Sequence, residues 1–223
     1  MLMTADDLTH WNEKVVRELE ARRAAYQLLV DFISEEPTLD NIVAWRNHAA
    51  WGQLLELSEG ARKVHQCLQE VPVSKLYNLS VSMREAYREL FEKGSGLPIE
   101  PCESMYRANE QMLPKSYEQE VRQAYADFSL YFKKMNDESD DHIAVELEFM
   151  AVIIEKMLNT VMTEERYQRY IDGQSRFVRE HLERWAVHFG EDLERCSKHP
   201  VYAALGTMLQ DFVMKEAAWA QSI

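Results

Sequence analysis

Asp141 and His142, with Glu146 four residues further on, form the sharpest concentration of chemically capable side chains in this sequence. On a helix, His142 and Glu146 project from one face. Asp141 falls in the first turn, where its charge complements the helix N-terminus. Two carboxylates and an imidazole so placed can accept bidentate bonds from the guanidinium groups of a partner peptide. The same residues suit a plainer role, as a helix cap and a salt bridge between neighbouring segments. Physical chemistry alone favours the cap. Tyr87, Leu90 and Phe91 are a second candidate, an apolar stripe that could line a peptide groove or belong to the core.

Catalytic and cofactor signatures are missing from the sequence. It contains no GxxxxGK[ST], and Gly94-Ser95-Gly96 follows an expected helix rather than a strand, which weakens a phosphate-cradle reading. There is no HExxH, no GxSxG elbow and no clustered Cys/His spacing. The expectation is a binding protein without a catalytic site, resident cofactor or metal. His181 and His188, close to Trp185, and His199 before Pro200 read as structural histidines.

These residues need helices to position them. Only 7 Gly and 6 Pro punctuate 223 residues, so the chain is expected to be all-α, a single helical domain of about ten helices. The first helix is expected from near Thr4 to Ile33, its apolar stripe interrupted by Arg22. Pro37 closes it and Thr38 caps the next. Gly60 and Pro72 punctuate further helices, and another runs over about 74–93. Residues 94–101, with two glycines and two prolines, are an irregular segment of the kind that carries binding residues. A helix over 116–134 follows, then the acidic run 136–141. That run is the expected hinge between an N-terminal lobe, 1–135, and a C-terminal lobe, 136–223. The broad apolar surface of 141–162 predicts a central, mostly buried helix. Thr163 caps a further helix, Gly190 ends the one after it, and Pro200 opens the last.

Bulk properties narrow the setting. Hydrophobic residues make up 46% and charged residues 28%, a globular balance. A net charge of −13 repels phosphate backbones, which argues against nucleic acid and suits a basic partner. Cys67, Cys102 and Cys196 form no CxxC pair, the N-terminus has acids where a signal peptide needs bases, and Glu146, Glu148, Glu155 and Lys156 interrupt the most apolar stretch. A cytoplasmic location without membrane insertion is expected.

Taken in order, the segments resemble the TorD-like family of molybdoenzyme chaperones. The resemblance rests on Tyr87-Arg88-Glu89-Leu90-Phe91, Gly96-Leu97-Pro98 and Pro101-Cys102-Glu103-Ser104-Met105-Tyr106. It continues through Asp141-His142-Ile143 with Glu146-Leu147 and Phe149-Met150. Phe177, His181-Leu182, Trp185 and Phe189, then His199-Pro200-Val201-Tyr202, complete it, with Arg22, Tyr26 and Phe32 fitting the opening helix. Two positions depart from the family pattern: Ser139 stands where it carries proline, and Cys102 where an aromatic is common. The resemblance implies an all-helical chaperone that binds the twin-arginine signal peptide or immature core of a molybdopterin oxidoreductase until its cofactor is inserted. Carried over by position, the binding surface comprises Tyr87, Leu90, Phe91, Pro101, Asp141 and His142, with Glu103, Tyr106 and Glu146 added by proximity in the motifs. A structural or assembly subunit of a reductase, or a nucleotide-dependent switch, is the alternative. Monomer and lobe-swapped dimer both remain open.

Overall fold

The computed structural model describes residues 13–92, 99–108, 114–132, 139–159 and 163–223. Among them the chain is all-α and builds one hydrophobic core. The expected helix start near Thr4, the loop residues Gly94 to Pro98 and the hinge residues Asn136 to Glu138 lie outside the described residues.

Helix α1 (Glu13–Ile33) packs along α8 (Ile143–Asn159), which is buried on most of its circumference, as its apolar breadth requires. Helix α2 (Leu39–Arg46) starts at Thr38, whose hydroxyl accepts from the Asn41 amide at 3.2 Å while the Asn41 side chain answers at the Thr38 amide, 2.9 Å. Trp45 on α2 stacks on Phe32, ring centroids 3.9 Å apart. Helices α3 (Trp51–Leu57) and α4 (Glu59–Gln69) follow, then α5 (Leu76–Tyr87), which runs into a π turn at Arg88–Glu92. The short α6 (Glu103–Tyr106) and α7 (Pro114–Asp127) precede α8. Helix α9 (Glu164–Phe177) opens on Thr163, whose hydroxyl accepts from Arg166. It passes through a second π turn, Val178–Leu182, into α10 (Glu183–Cys196). Helix α11 (Pro200–Gln221) closes the chain, with proline at the position where a missing N–H costs nothing.

Three expected helix boundaries are corrected. Gly60 lies inside the first turn of α4, because a Cβ there would sit 2.1 Å from the Met208 backbone nitrogen of α11. Gly190 lies inside α10 for the same reason, since a Cβ there would sit 2.9 Å from the Gly206 carbonyl oxygen. Both glycines answer a close helix crossing and not a helix end. The helix expected to reach residue 134 stops at Asp127: Ser129 takes a positive φ of 56°, and Phe128 turns in against Gly173 of α9.

Gly60→Ala must push α4 off α11. It is expected to lower unfolding stability by about 2–3 kcal/mol, read as a fall in the urea midpoint at unchanged slope.

Candidate functional site

The segment Pro101–Arg107 lies against the start of α8. The Ile143 amide donates to the Pro101 carbonyl at 2.8 Å, and the Glu103 amide donates to the Asp141 carbonyl at 3.0 Å. These bonds make an isolated antiparallel bridge between Cys102 and His142. The Ser104 amide donates to Asp141 Oδ2 at 2.9 Å, so Asp141 satisfies an orphan amide of α6 rather than of its own helix. Pro101, Glu103, Asp141 and His142 are thereby brought together, all buried.

Glu103 is completely buried. One carboxylate oxygen meets Arg107 Nη1, one helical turn on, and the other lies 2.9 Å from His181 Nδ1 in the second π turn. Arg107 also donates to the Glu180 carbonyl at 2.9 Å and lies over the Tyr117 ring, 4.4 Å from its centroid. Glu146, on the next turn of α8, is likewise fully buried, and its Oε2 accepts from Trp185 Nε1 at 3.2 Å. Burial, followed by the charges of Glu103 and Asp141, pushes the Glu146 carboxyl well above the usual carboxylate range. Glu146 Oε1 and Asp141 Oδ1 are buried with no hydrogen-bond partner among the described residues. Tyr106 is half-buried, its ring 5.5 Å from Trp185 and its hydroxyl donating to Asp192 at 3.0 Å.

His142 Nδ1 accepts from the Ala144 amide at 3.2 Å, which leaves the neutral ring as the form that fits. Burial pulls its pKa down to about 4, although the Asp141 charge acts the other way.

Tyr87, Leu90 and Phe91 form a separate group around the first π turn. Tyr87 and Leu90 are buried, the Tyr87 hydroxyl donating to the Ile33 carbonyl at 3.1 Å. Phe91 is half-buried between Tyr87, 4.9 Å away, and Tyr202, 6.3 Å away. His199 caps α11, its Nδ1 accepting from Val201 at 3.3 Å, with Nε2 3.2 Å from Ser82 Oγ.

Sequence reasoning missed Arg107, the partner that most completely engages Glu103. The four-residue spacing of Glu103 and Arg107 was the available signal. Nothing local announces that His181, 78 residues away, completes the pair. Arg122 Nε and the Tyr125 hydroxyl, bonded to the Asp140 carboxylate (2.7 Å) and carbonyl (2.9 Å), were equally silent.

The two perturbed groups act on stability in opposite directions. His142 is more basic unfolded than folded, so its contribution is complete above pH 6.5 and is lost as pH falls from 6.5 toward 4. Over that window the loss amounts to about 3 kcal/mol. A His142→Asn variant is expected to show a flatter acid limb in chemical denaturation between those pH values. Glu146 favours its proton in the folded state, so its contribution is complete below pH 4.5 and falls as pH rises through the elevated folded value. Glu146→Gln is therefore expected to gain stability over the parent at pH 8 and to match it near pH 4.

Residues 55–191 match the family model described as nitrate reductase delta subunit. The "Chaperone protein TorD" of Aliivibrio fischeri is 30% identical over 122 residues, 55% of each chain. The "Probable Tat proofreading chaperone DmsD" of Haemophilus influenzae is 25% identical over 170 residues, 76% of this chain and 75% of that one. The chain spans about half the length of the TorD relatives that it matches. A crystal structure from Archaeoglobus fulgidus, of a protein assigned to redox enzyme maturation, superposes with a TM-score of 0.51 over 86% of this chain and 93% of the other, at 18% identity, and so shares the fold. The resemblance carried by the ordered motifs is thus borne out: the chain belongs to the nitrate reductase delta subunit family, in which its TorD-like relatives are found.

Proposed function

We propose that this protein is a cytoplasmic maturation chaperone that binds without catalysing. Its client is the precursor of a molybdopterin-dependent oxidoreductase, engaged through a twin-arginine leader, an immature core or both, and held until the cofactor is in place. Relatives named as TorD and DmsD chaperones support the class of function. No helix among the described residues is long and apolar enough to cross a membrane.

The observation that carries the recognition mode is the pair of buried carboxylate oxygens, Asp141 Oδ1 and Glu146 Oε1, left without partners among the described residues. A buried acceptor left unmade costs about 1–3 kcal/mol, and a guanidinium, with five donors in a planar fork, is well suited to relieve it. In this reading the client arginines reach Asp141 and Glu146 when the Pro101–Arg107 segment lifts from α8, and Glu146, which favours its proton while buried among acids, gives it up to water as the guanidinium arrives. Two backbone bonds and one bond to the Asp141 side chain hold the start of that segment down. The acidic run 136–141 serves as the hinge between lobes 1–135 and 136–223. Tyr87, Leu90 and Phe91, with Pro101, meet the apolar stretch of the leader, while Glu103, Tyr106 and His142 shape the opening. The family description as a reductase subunit keeps a second reading in view, a permanent assembly subunit of the mature enzyme.

Pull-down of the full chain from its native cytosol, with mass spectrometry of the bound proteins, separates these. A molybdoenzyme precursor retaining its leader is the expected capture. Recovery of mature complex alone, at fixed stoichiometry, would establish the subunit reading. Replacing both leader arginines by glutamine is expected to weaken binding about tenfold or more, measured by calorimetry with the synthetic leader. Unchanged affinity would remove the role of Asp141 and Glu146.

A further inference from the structure

Four of the eight large apolar side chains left exposed among the described residues lie on two neighbouring elements. Leu39 and Val43 on α2 are 39% and 41% exposed. Val73, in the 3₁₀ turn that leads into α5, and Tyr77 on α5 itself are 75% and 65% exposed. Helix α2 packs on α5, and the two run antiparallel. At one end Arg46 Nη1 of α2 donates to the Val71 carbonyl ahead of α5, at 2.7 Å. At the other, Glu36 ahead of α2 meets Arg84 in the last turn of α5 and Arg88 just beyond it.

Helical spacing puts the apolar groups on the flanks that these contacts turn toward each other. Leu39 and Val43 share a flank of α2 with Arg46, and Tyr77 shares a flank of α5 with Val81, Arg84 and Arg88. The exposed side chains therefore border one seam, whereas apolar residues scattered singly over a surface would need no explanation. Charge is divided across the same seam. On the α2 side, residues 35–46 carry Glu35, Glu36 and Asp40 against Arg46, a net −2. On the α5 side, residues 71–88 carry Lys75, Arg84 and Arg88 against Glu85, a net +2. The two strips sum to zero, so the −13 of the chain is carried by the rest of it. Two copies repel each other over most of their surface but not here.

We propose that this face joins two copies of the chain in an isologous dimer, each copy keeping its own lobes. A two-fold axis along the seam lays α2 of each copy on α5 of the other. Val43 then meets Tyr77, and Asp40 faces Arg84 and Arg88, with both contacts made twice. A different partner would have to supply an acidic and a basic strip in matching order around apolar groups; a second copy supplies them by symmetry. So small an apolar centre holds the pair weakly, in the micromolar range. The dimer does not rest on the client reading.

Sedimentation velocity of the full-length protein from about 1 to about 200 µM tests it. The mass is expected to rise with concentration from 26.2 kDa toward twice that value, and to fall again on dilution. Tyr77→Glu is expected to weaken association about tenfold or more, and Asp40→Lys about threefold or more. Met214→Glu replaces another exposed apolar side chain, on α11 away from the seam, with the same change of charge, and should stay within about twofold. A monomer throughout the range, or equal losses in Tyr77→Glu and Met214→Glu, would overturn the proposal. So would a dimer untouched by Tyr77→Glu, the behaviour of exchanged lobes. A monomer whose affinity for the synthetic leader falls with Tyr77→Glu would give the face to the client instead of a second copy.

Discussion

Glu103 has no solvent around it, and a carboxylate in that position must find its compensation in the protein. It finds it in two places at once: Arg107 at the end of its own short helix, and His181 at the junction of α9 and α10. Its amide meanwhile donates to the carbonyl of Asp141 ahead of α8. One residue thus ties α6, the start of α8 and the second π turn to a common point. Trp185, one helical turn beyond His181, reaches back to Glu146 and closes the arrangement from the other side. Removing one member of such a buried set leaves another stranded, which costs more than the pair itself contributes. The geometry around Asp141, His142 and Glu146 rests on that constraint.

The apolar framework holds these groups at their separations. Helix α8 lies against α1, while α11 packs on both α4 and α10. Helix α4 approaches α11 closely because Gly60 has no side chain, and the α10–α11 crossing is tight at Gly190 and Gly206. Tyr125, Phe149 and Phe177 fill the space beneath the carboxylates, with ring centroids 4.7–6.0 Å apart. The polar cluster is therefore embedded in the core, and the low polarity around it is what raises the affinity of Glu146 for its proton.

What could be read in the sequence was what is decided locally. Thr38, Thr163 and Pro200 each announce a helix start within three or four residues, and each is found there. The breadth of the apolar surface on α8 foretold its central place. Gly60 and Gly190 misled because their reason lies on α11, far along the chain, and a glycine that admits a neighbouring helix looks the same as one that ends its own. Of the candidate residues, Pro101, Glu103, Asp141 and His142 come together, while Tyr87, Leu90 and Phe91 lie apart around the first π turn. The inner arrangement of the first group could not be read, since Asp141 serves the amide of Ser104 and Glu103 meets His181 across long sequence separations.

The two π turns, Arg88–Glu92 and Val178–Leu182, give a last consequence. A π turn holds one residue more than the α-helical turn it replaces. The second, which runs on into α10, therefore acts as a phase shift, resetting by about 100° the direction in which every side chain of α10 points. His181 lies within that turn, and Trp185 and Phe189 take their bearing from it. Loss of a single residue there would keep the helix and its hydrophobic composition intact while swinging Trp185 away from Glu146. At this junction chain length, more than residue identity, is what inheritance must preserve.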